Sequence, residues 1–173
     1  DDLCIYTLSD ELQTMKNATL QLKVMNFDGK VLNSKLVKGE VPANASVVYC
    51  KENYEALAKD PRNTFLLMTL KDAKGKVLSE EIYYFNYPKD QELPVAKVSY
   101  KVKQMDGKCE VTLSTKQLAR DIFIEIPVQG ARFTDNFFDL LPGQTKKIVI
   151  TSDKIKKNEP VQLKLRHLKG IIK

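Results

Sequence analysis

Short runs of alternating apolar and polar residues recur along this chain, and turn-forming residues separate them. Residues 19–25 show the pattern clearly, with Leu20, Leu22 and Val24 alternating with polar neighbours. A period of two is typical of a β-strand that buries one face. Strands that recur about every 8–12 residues with turns between them are typical of β-sandwiches. We therefore predict an all-β fold of two tandem immunoglobulin-like β-sandwich domains.

The predicted elements divide into two sets. The predicted strands are residues 3–8, 19–25, 30–37, 45–50, 64–70 and 77–85 in the first half, and 95–104, 109–114, 122–126, 146–151 and 161–165 in the second. One short helix is predicted at residues 52–59, and it ends before Pro61 because the residue preceding a proline disfavours helix. Residues 115–120 are predicted to be a connection with one helical turn.

A polar segment with a proline at each end separates the two sets, where Pro88 and Pro94 bracket charged and amide residues. This composition is typical of an interdomain linker. We predict a first sandwich at residues 1–88, a linker at residues 89–94 and a second sandwich at residues 95–173. The first sandwich is expected to lack its first strand, because the chain opens directly on a strand-like run.

Composition excludes several classes of partner. The chain is 43% hydrophobic and 29% charged, which is typical of a soluble globular protein. No apolar run approaches the roughly 18 residues that span a bilayer, so no membrane partner is predicted. The net charge is +6, but acids are interspersed with the lysines. The basic segments at residues 154–157 and 164–173 contain no stacking aromatics, so we predict a solvated surface and no nucleic-acid partner.

The cysteines and the single histidine do not form a recognisable metal or nucleophile site. Cys4, Cys50 and Cys109 include no closely spaced pair, and a zinc site needs about four nitrogen or sulfur ligands. Cys4 and Cys50 could pair if their strands are adjacent, but buried free thiols are favoured. His167 has no partner base or nucleophile in sequence, and a surface or strand-edge position is expected for it.

Carboxylate and glycine patterns also lack catalytic character. Glu80 and Glu81 are neighbours in a predicted strand and should point to opposite faces, so they cannot form a pair for glycoside hydrolysis. The glycines stand singly at turns, which excludes a phosphate-binding loop. We predict no catalytic residue, no metal site and no cofactor for this chain.

Two aromatic clusters, at residues 83–87 and 133–138, are candidates for contacting a sugar. Aromatic side chains dominate packing energy, so packing in the core, at a domain interface or at the end of a sandwich is the favoured interpretation. A sugar platform is the alternative. The candidate sugar-contact residues are Tyr83, Tyr84 and Phe137.

A leucine pair followed by a Pro-Gly turn forms a structural motif near the C-terminus, consisting of Asp139, Leu140, Leu141, Pro142 and Gly143. The leucines are predicted to close one end of a sandwich core, with at least one of them fully buried. Pro142 and Gly143 are predicted to reverse the chain, and Asp139 is assigned to turn chemistry rather than acid catalysis.

Four stretches together carry a resemblance that runs along nearly the whole chain. They are residues 6–12, residues 24–32 with 41–46, residues 70–79 with the aromatic strand 83–85, and residues 133–143. In this order they resemble the C-terminal, non-catalytic region of glycoside hydrolase family 2 β-mannosidases. The aromatic strand often carries a tryptophan in relatives and this chain has none, which weakens any transfer of sugar contacts to Tyr84 or Phe85.

The resemblance implies a five-domain parent enzyme whose last two domains correspond to this chain. In that family a (β/α)8 barrel carries two catalytic glutamates and releases terminal β-linked mannose with retention, and no position here matches the glutamate motifs. The implied role is structural support of the barrel. The implied partners are the barrel and the N-terminal domains of the same chain, and β-mannosides through the parent. Analogy with bacterial saccharolytic enzymes implies a periplasmic or extracytoplasmic location.

Two other functions fit a pair of β-sandwiches. The first is a carbohydrate-binding module with its own sugar affinity, and the missing tryptophan argues against it. The second is a free-standing adhesion or interaction protein, and the opening on a strand-like run argues against that one.

Overall fold

The chain folds into two compact units in which strands predominate, which confirms the predicted all-β fold. The computed structural model describes residues 2–172, so Asp1 and Lys173, the outer limits of the two predicted domains, lie outside it. The first unit extends to Glu92 without Phe27–Gly29, and the second contains those three residues and the chain from Leu93 onward. In residues 2–172, no helix is long and apolar enough to cross a membrane.

The first unit is a sandwich of unequal sheets. Its strands are β1 (Asp2–Ser9), β2 (Met15–Asn26), β3 (Val31–Val41), β4 (Ala45–Asn53), β5 (Thr64–Lys71) and β6 (Val77–Tyr84). Four of them form an antiparallel sheet in the order β3-β2-β5-β6, whereas β1 and β4 form a two-stranded sheet.

Alternation along β2 builds the core of the first unit. Leu20, Leu22 and Val24 are buried on one face, and they cluster with Ile5 of β1 and Leu66 of β5. Burial of such a side chain contributes about 1.5–3 kcal/mol relative to leaving it exposed. The β2 pattern therefore fixes which face of the larger sheet meets the smaller one.

A single helical turn, α1 (Tyr54–Leu57), follows β4. The side chain of Asn53 caps it by accepting a hydrogen bond from the Ala56 N–H at 2.8 Å. The helix is shorter than the predicted residues 52–59, because β4 stays paired with β1 through Asn53.

The second unit is a sandwich of two four-stranded sheets. Its strands are β7 (Val98–Met105), β8 (Lys108–Thr115), β9 (Ala119–Glu125), β10 (Arg132–Phe133), β11 (Phe138–Leu140), β12 (Thr145–Thr151), β13 (Lys164–His167) and β14 (Gly170–Ile172). One sheet has the order β10-β12-β8-β7 and the other the order β11-β9-β13-β14. Alternate residues of β8, β9 and β12 point into the core between the sheets. The fully buried side chains of these strands include Val111, Leu113, Ile122, Ile124, Ile148 and Ile150.

Three predictions of local structure in the second half need correction. No helical turn forms at residues 115–120, because β9 begins at Ala119 to pair with Leu140. The last predicted strand, residues 161–165, is shifted to β13 at Lys164–His167. His167 is buried rather than at the surface, since β13 lies between β9 and β14 and not at an edge.

The predicted linker region is more ordered than its polar composition suggests. A 3-10 helix spans Pro88–Asp90. Gln91 is buried, and its side-chain amide donates to the carbonyl oxygen of Asn86 at 2.9 Å. A buried amide requires such a partner, so this hydrogen bond holds the segment in a defined conformation although its charged residues are exposed.

Candidate functional site

An apolar cleft opens beside β1 in the first unit, which we call the β1 cleft. Its volume is about 510 Å³, within the range of ligand pockets. The six consecutive residues 3–8 of β1 line one side of it. Successive side chains of a strand point to opposite faces, so a cavity that meets all six must run along the edge of the strand.

The floor of the β1 cleft is the inner face of the larger sheet. Leu20 of β2, Leu70 of β5 and Ser79 of β6 form one row across this face, because the strand register places them opposite one another. Met68 and Glu81 belong to the next row. Burial falls steadily along each row, from the buried β2 residues through half-buried Met68 and Leu70 to exposed Ser79 and Glu81. The two-stranded sheet therefore covers only part of its partner.

Thr7 is an unusual polar residue of the β1 cleft. Its side chain is only 7% exposed, and its hydroxyl has no hydrogen-bond partner. An unsatisfied buried hydroxyl costs about 1–3 kcal/mol. Thr7 was not predicted as a site residue, because a threonine in an alternating strand carries no signal that it will face a cavity.

The predicted sugar-contact tyrosines lie on opposite faces of β6. Tyr83 lines the β1 cleft, and its ring meets Phe85 edge-on with centroids 5.6 Å apart. Tyr84 faces the other way and packs against Phe65 at 6.1 Å. The structure therefore does not bring the two tyrosines together in one platform, and Tyr83 is the one that borders a cavity.

Phe137 belongs to a separate aromatic surface on the second unit. Its ring is 69% exposed and stacks on Phe123 with centroids 4.5 Å apart, so the expectation that it packs at the sandwich end is wrong. The guanidinium of Arg166 lies 5.7 Å from the Phe123 centroid and pairs with Glu125 at 2.7 Å. Phe123 and Arg166 were not predicted as part of an aromatic surface. They lie together only because β9 pairs with β13, which is distant in sequence.

The backbone of Phe137 lies in the left-handed region with φ of 59°, which costs a non-glycine residue about 1–2 kcal/mol. The preceding residue holds this conformation. The Asn136 amide accepts from the Ile124 N–H at 2.8 Å and donates to the Ile124 carbonyl oxygen at 2.9 Å. Asn136 also accepts from the N–H of Phe137 at 3.2 Å. The exposed ring is therefore fixed by a rigid turn.

The residues of the predicted structural motif take up distinct positions. Leu140 is fully buried and Leu141 is nearly so. Pro142 and Gly143 are the central residues of a turn that the Gln144 N–H closes on the Leu141 carbonyl oxygen at 3.0 Å. Gly143 has φ of 77°, and its N–H donates to the Thr115 carbonyl oxygen at 2.8 Å. Asp139 accepts a hydrogen bond from the Asp121 N–H at 2.8 Å. These contacts describe a packed turn and not a reactive site.

Several carboxylates of the second unit form ion pairs with lysine or arginine. Glu110 pairs with Lys147 at 3.0 Å and with Lys108 at 3.1 Å. The hydrogen bond from Lys147 lowers the pKa of Glu110 most, and the hydrogen bond from Lys108 lowers it further. A general acid in glycoside hydrolysis needs the opposite shift. No group of three or more metal-ligating side chains occurs within residues 2–172.

The buried histidine and two of the thiols, those of Cys50 and Cys109, have environments that favour their neutral forms. Burial lowers the pKa of His167, although a backbone hydrogen bond at Ala96 acts in the other direction. Burial raises the pKa of the Cys109 thiol, as it does for Cys50. Cys4 lies opposite Lys51 and Cys50 opposite Ile5, and all three cysteines are free. The one-residue offset between Cys4 and Cys50 sends their side chains to opposite faces.

Two protein-family models match the chain in succession. The first, described as a Mannosidase Ig/CBM-like domain, matches residues 1–90, and the second, described as an Ig-fold domain, matches residues 93–171. Together the two descriptions confirm the predicted pair of tandem immunoglobulin-like domains. No curated protein sequence matches the chain.

Solved structures of longer glycosidases contain a similar pair of domains. A β-D-mannosidase from Dictyoglomus thermophilum is 25% identical with a TM-score of 0.74, over 99% of this chain and 20% of that one. The exo-chitosanase CsxA from Amycolatopsis orientalis is 16% identical with a TM-score of 0.68, over 97% of this chain and 24% of that one. The chain thus spans about a fifth to a quarter of the length of these proteins.

Proposed function

Because the chain belongs to the family described as the Mannosidase Ig/CBM-like domain, we propose that it forms two accessory domains of a longer β-mannosidase. The observation that carries the proposal is the similarity to a β-D-mannosidase over 99% of this chain. The two family models follow one another without overlap, and the similar β-D-mannosidase aligns with both matched regions. The proposed parent removes terminal β-linked mannose by the retaining mechanism, through a catalytic barrel outside this chain.

The chemistry of the described residues supports an accessory role. Retaining glycosidases need two carboxyl groups about 5–5.5 Å apart, with the pKa of one of them raised. Glu110 has its pKa lowered by lysines, and Glu125 is paired with Arg166. The β1 cleft is bordered mainly by apolar side chains with Glu81 as its one carboxylate. Hydrolysis would therefore have to come from another part of the parent.

Hydrolysis of chromogenic glycosides tests the proposal. The 173-residue chain should not hydrolyse a β-mannoside, whereas the longer gene product should hydrolyse it in preference to β-glucoside, β-galactoside and β-glucosaminide analogues. Turnover by the 173-residue chain would refute the accessory role. Preference of the longer protein for another glycoside would refute the assignment to β-mannosidase.

The support role makes a separate prediction for the longer protein. Leu140→Ala should shorten the half-life of activity at elevated temperature while leaving KM for the β-mannoside unchanged, because Leu140 lies in a core and not in a ligand site. Leu168→Ala is the matched control, since Leu168 is half exposed. An increase in KM without a loss of thermal stability would contradict a purely supporting role.

A second candidate function is direct binding of saccharide at the Phe137 surface. The observation that favours it is an exposed ring in a rigid turn, stacked on Phe123 with Arg166 beside it. Sugars stack on exposed aromatic faces and accept hydrogen bonds from guanidinium groups. Titration with manno-oligosaccharides should then saturate below about 1 mM, and Phe137→Ala should abolish binding while Tyr87→Ala should not. Absence of saturation with the unmodified chain would exclude this function.

A further inference from the structure

The β1 cleft has the geometry of a missing strand position. The inner face of the larger sheet is covered near β2, and its coverage decreases through β5 until Ser79 and Glu81 of β6 are exposed. Neighbouring strands in a sheet are about 4.8 Å apart. The uncovered region begins at the free edge of β1, which is where a further strand of the smaller sheet would lie.

The main chain of β1 is free to pair on the side of the cleft. Within residues 2–172, β4 is the only strand that pairs with β1 in a sheet. In an antiparallel pair alternate residues direct their N–H and C=O groups away from the partner. Since residues 3–8 all border the cleft, these outward groups face it. An extended polypeptide that entered the cleft could satisfy them by strand addition.

The side chains of β1 are also atypical for the edge of a sheet. Exposed edge strands are usually protected by charges, particularly lysine, which oppose pairing with other chains. The edge strand β3 of the larger sheet follows this rule with Lys35, Lys38 and Glu40. The only charged residue of β1 is Asp2, and the strand exposes Tyr6 and Leu8 instead. A strand of this composition is suited to a neighbour on both sides.

The lining favours a polypeptide over a saccharide. Six of the residues around the cleft are large and aliphatic or thioether-bearing, namely Leu3, Ile5, Leu8, Leu20, Met68 and Leu70. The Tyr83 ring meets Phe85 edge-on. A sugar would leave most of its hydroxyl groups facing aliphatic side chains, which is costly. A strand would present alternating apolar side chains to this floor. Its main chain or a polar side chain could form a hydrogen bond with the buried Thr7 hydroxyl.

We propose that a further strand of the longer polypeptide adds to the free edge of β1 and covers the inner face of β5 and β6. The occupant belongs to the same polypeptide, because the similar β-D-mannosidase is about five times as long as the aligned part and supplies chain outside these two units. This identification rests on the proposed function. The strand needs about six residues, or about 20 Å, to match residues 3–8.

Residue-level hydrogen exchange on the longer protein tests the proposal, with β3 as an internal control. If a strand pairs with β1, both alternating sets of amides in residues 3–8 should exchange on the order of 100-fold more slowly than unprotected amides. In β3, only the amides that pair with β2 should be protected. Rapid exchange of alternate β1 amides, as in β3, would overturn the proposal.

The other occupants give different results in the same experiment. Protection that disappears on dilution would indicate a second copy, and protection that appears only with added manno-oligosaccharide would indicate a sugar. Either result would overturn the strand assignment. Hydrolysis of β-mannosides by the longer protein is measured separately. Protected β1 amides in a protein without that activity would refute the proposed function and leave the added strand intact.

A matched pair of substitutions provides a second test. Ser79 of β6 and Ser34 of β3 are both exposed here, but only Ser79 faces the β1 cleft. In the longer protein Ser79→Lys should lower the melting temperature by about 4 °C or more, because the added strand would bury the new charge. Ser34→Lys should change it little. Equal effects of the two substitutions would overturn the proposal.

Discussion

Replacement of Leu140 by alanine is the most direct test of how the second unit is stabilised. Leu140 is 0% exposed, lies in β11 opposite Ala119 of β9, and belongs to the core between the two four-stranded sheets. The substitution removes three carbon atoms, and the loss of transfer free energy is about 2.4 kcal/mol at about 0.8 kcal/mol per group. Paired strands limit how far the site can collapse, so a cavity term brings the expected total to about 3–5 kcal/mol.

Urea unfolding followed by circular dichroism measures this loss, since the chain has no tryptophan to report by fluorescence. With a urea dependence of about 2 kcal/mol per molar, the midpoint of the second unit should fall by about 1.5–2.5 M. Leu168→Ala removes the same atoms from a side chain that is 47% exposed, and it should cost no more than about 0.5 kcal/mol. A loss below about 0.5 kcal/mol for Leu140→Ala would refute the role of this leucine in the core.

Three further predictions use the same unfolding measurements. Gly143→Ala should cost about 1–2 kcal/mol from backbone conformation, because φ at this position is 77° and a Cβ would meet no other atom within 4 Å; no loss would show that the turn can change its conformation. Thr7→Val should stabilise the 173-residue chain by about 1 kcal/mol, because it removes a buried hydroxyl without a partner; destabilisation would show that the hydroxyl is hydrogen-bonded in solution. Burial lowers the pKa of His167 in the folded state, so the unfolded chain binds a proton first as the pH falls below about 6.5, and stability should decrease below that pH. The melting temperature between pH 7.5 and 5.5 should show this decrease, and His167→Gln should remove it; equal slopes for the two proteins would contradict the shift.

Local sequence patterns predicted most strands because burial alternates where one face of a sheet meets a core. The strand β2 is an example, since its alternating residues Leu20, Leu22 and Val24 are all buried. Errors occurred where a long-range partner decides the structure. Residues 115–120 contain no strand signal of their own, but Ala119 pairs with Leu140 and so begins β9. Asn53 likewise extends β4 beyond its predicted end because it pairs with Asp2.

The candidate sites were less predictable than the strands. Alternation correctly separates Tyr83 from Tyr84, but it does not show that the face of Tyr83 borders a cavity. That depends on the number of strands in the opposite sheet, which is a property of strand order and not of any single segment. Exposure of Phe137 was also missed, because an aromatic residue in the left-handed region follows no propensity. The hydrogen bond between the Asn136 side chain and β9 imposes this backbone conformation on Phe137.

The paired hydrogen bonds of Asn136 restrict which amino acids this position can accept. Ile124 lies opposite Leu165 on one side, and on the other side its N–H and C=O meet a side-chain amide in place of a peptide group. Aspartate has the same length but cannot donate, and glutamine can donate but places its amide one carbon farther away. Selection on this site should therefore retain asparagine even if the exposed ring beside it changes freely. A library of variants at residues 136 and 137 would then show one intolerant and one permissive position next to each other.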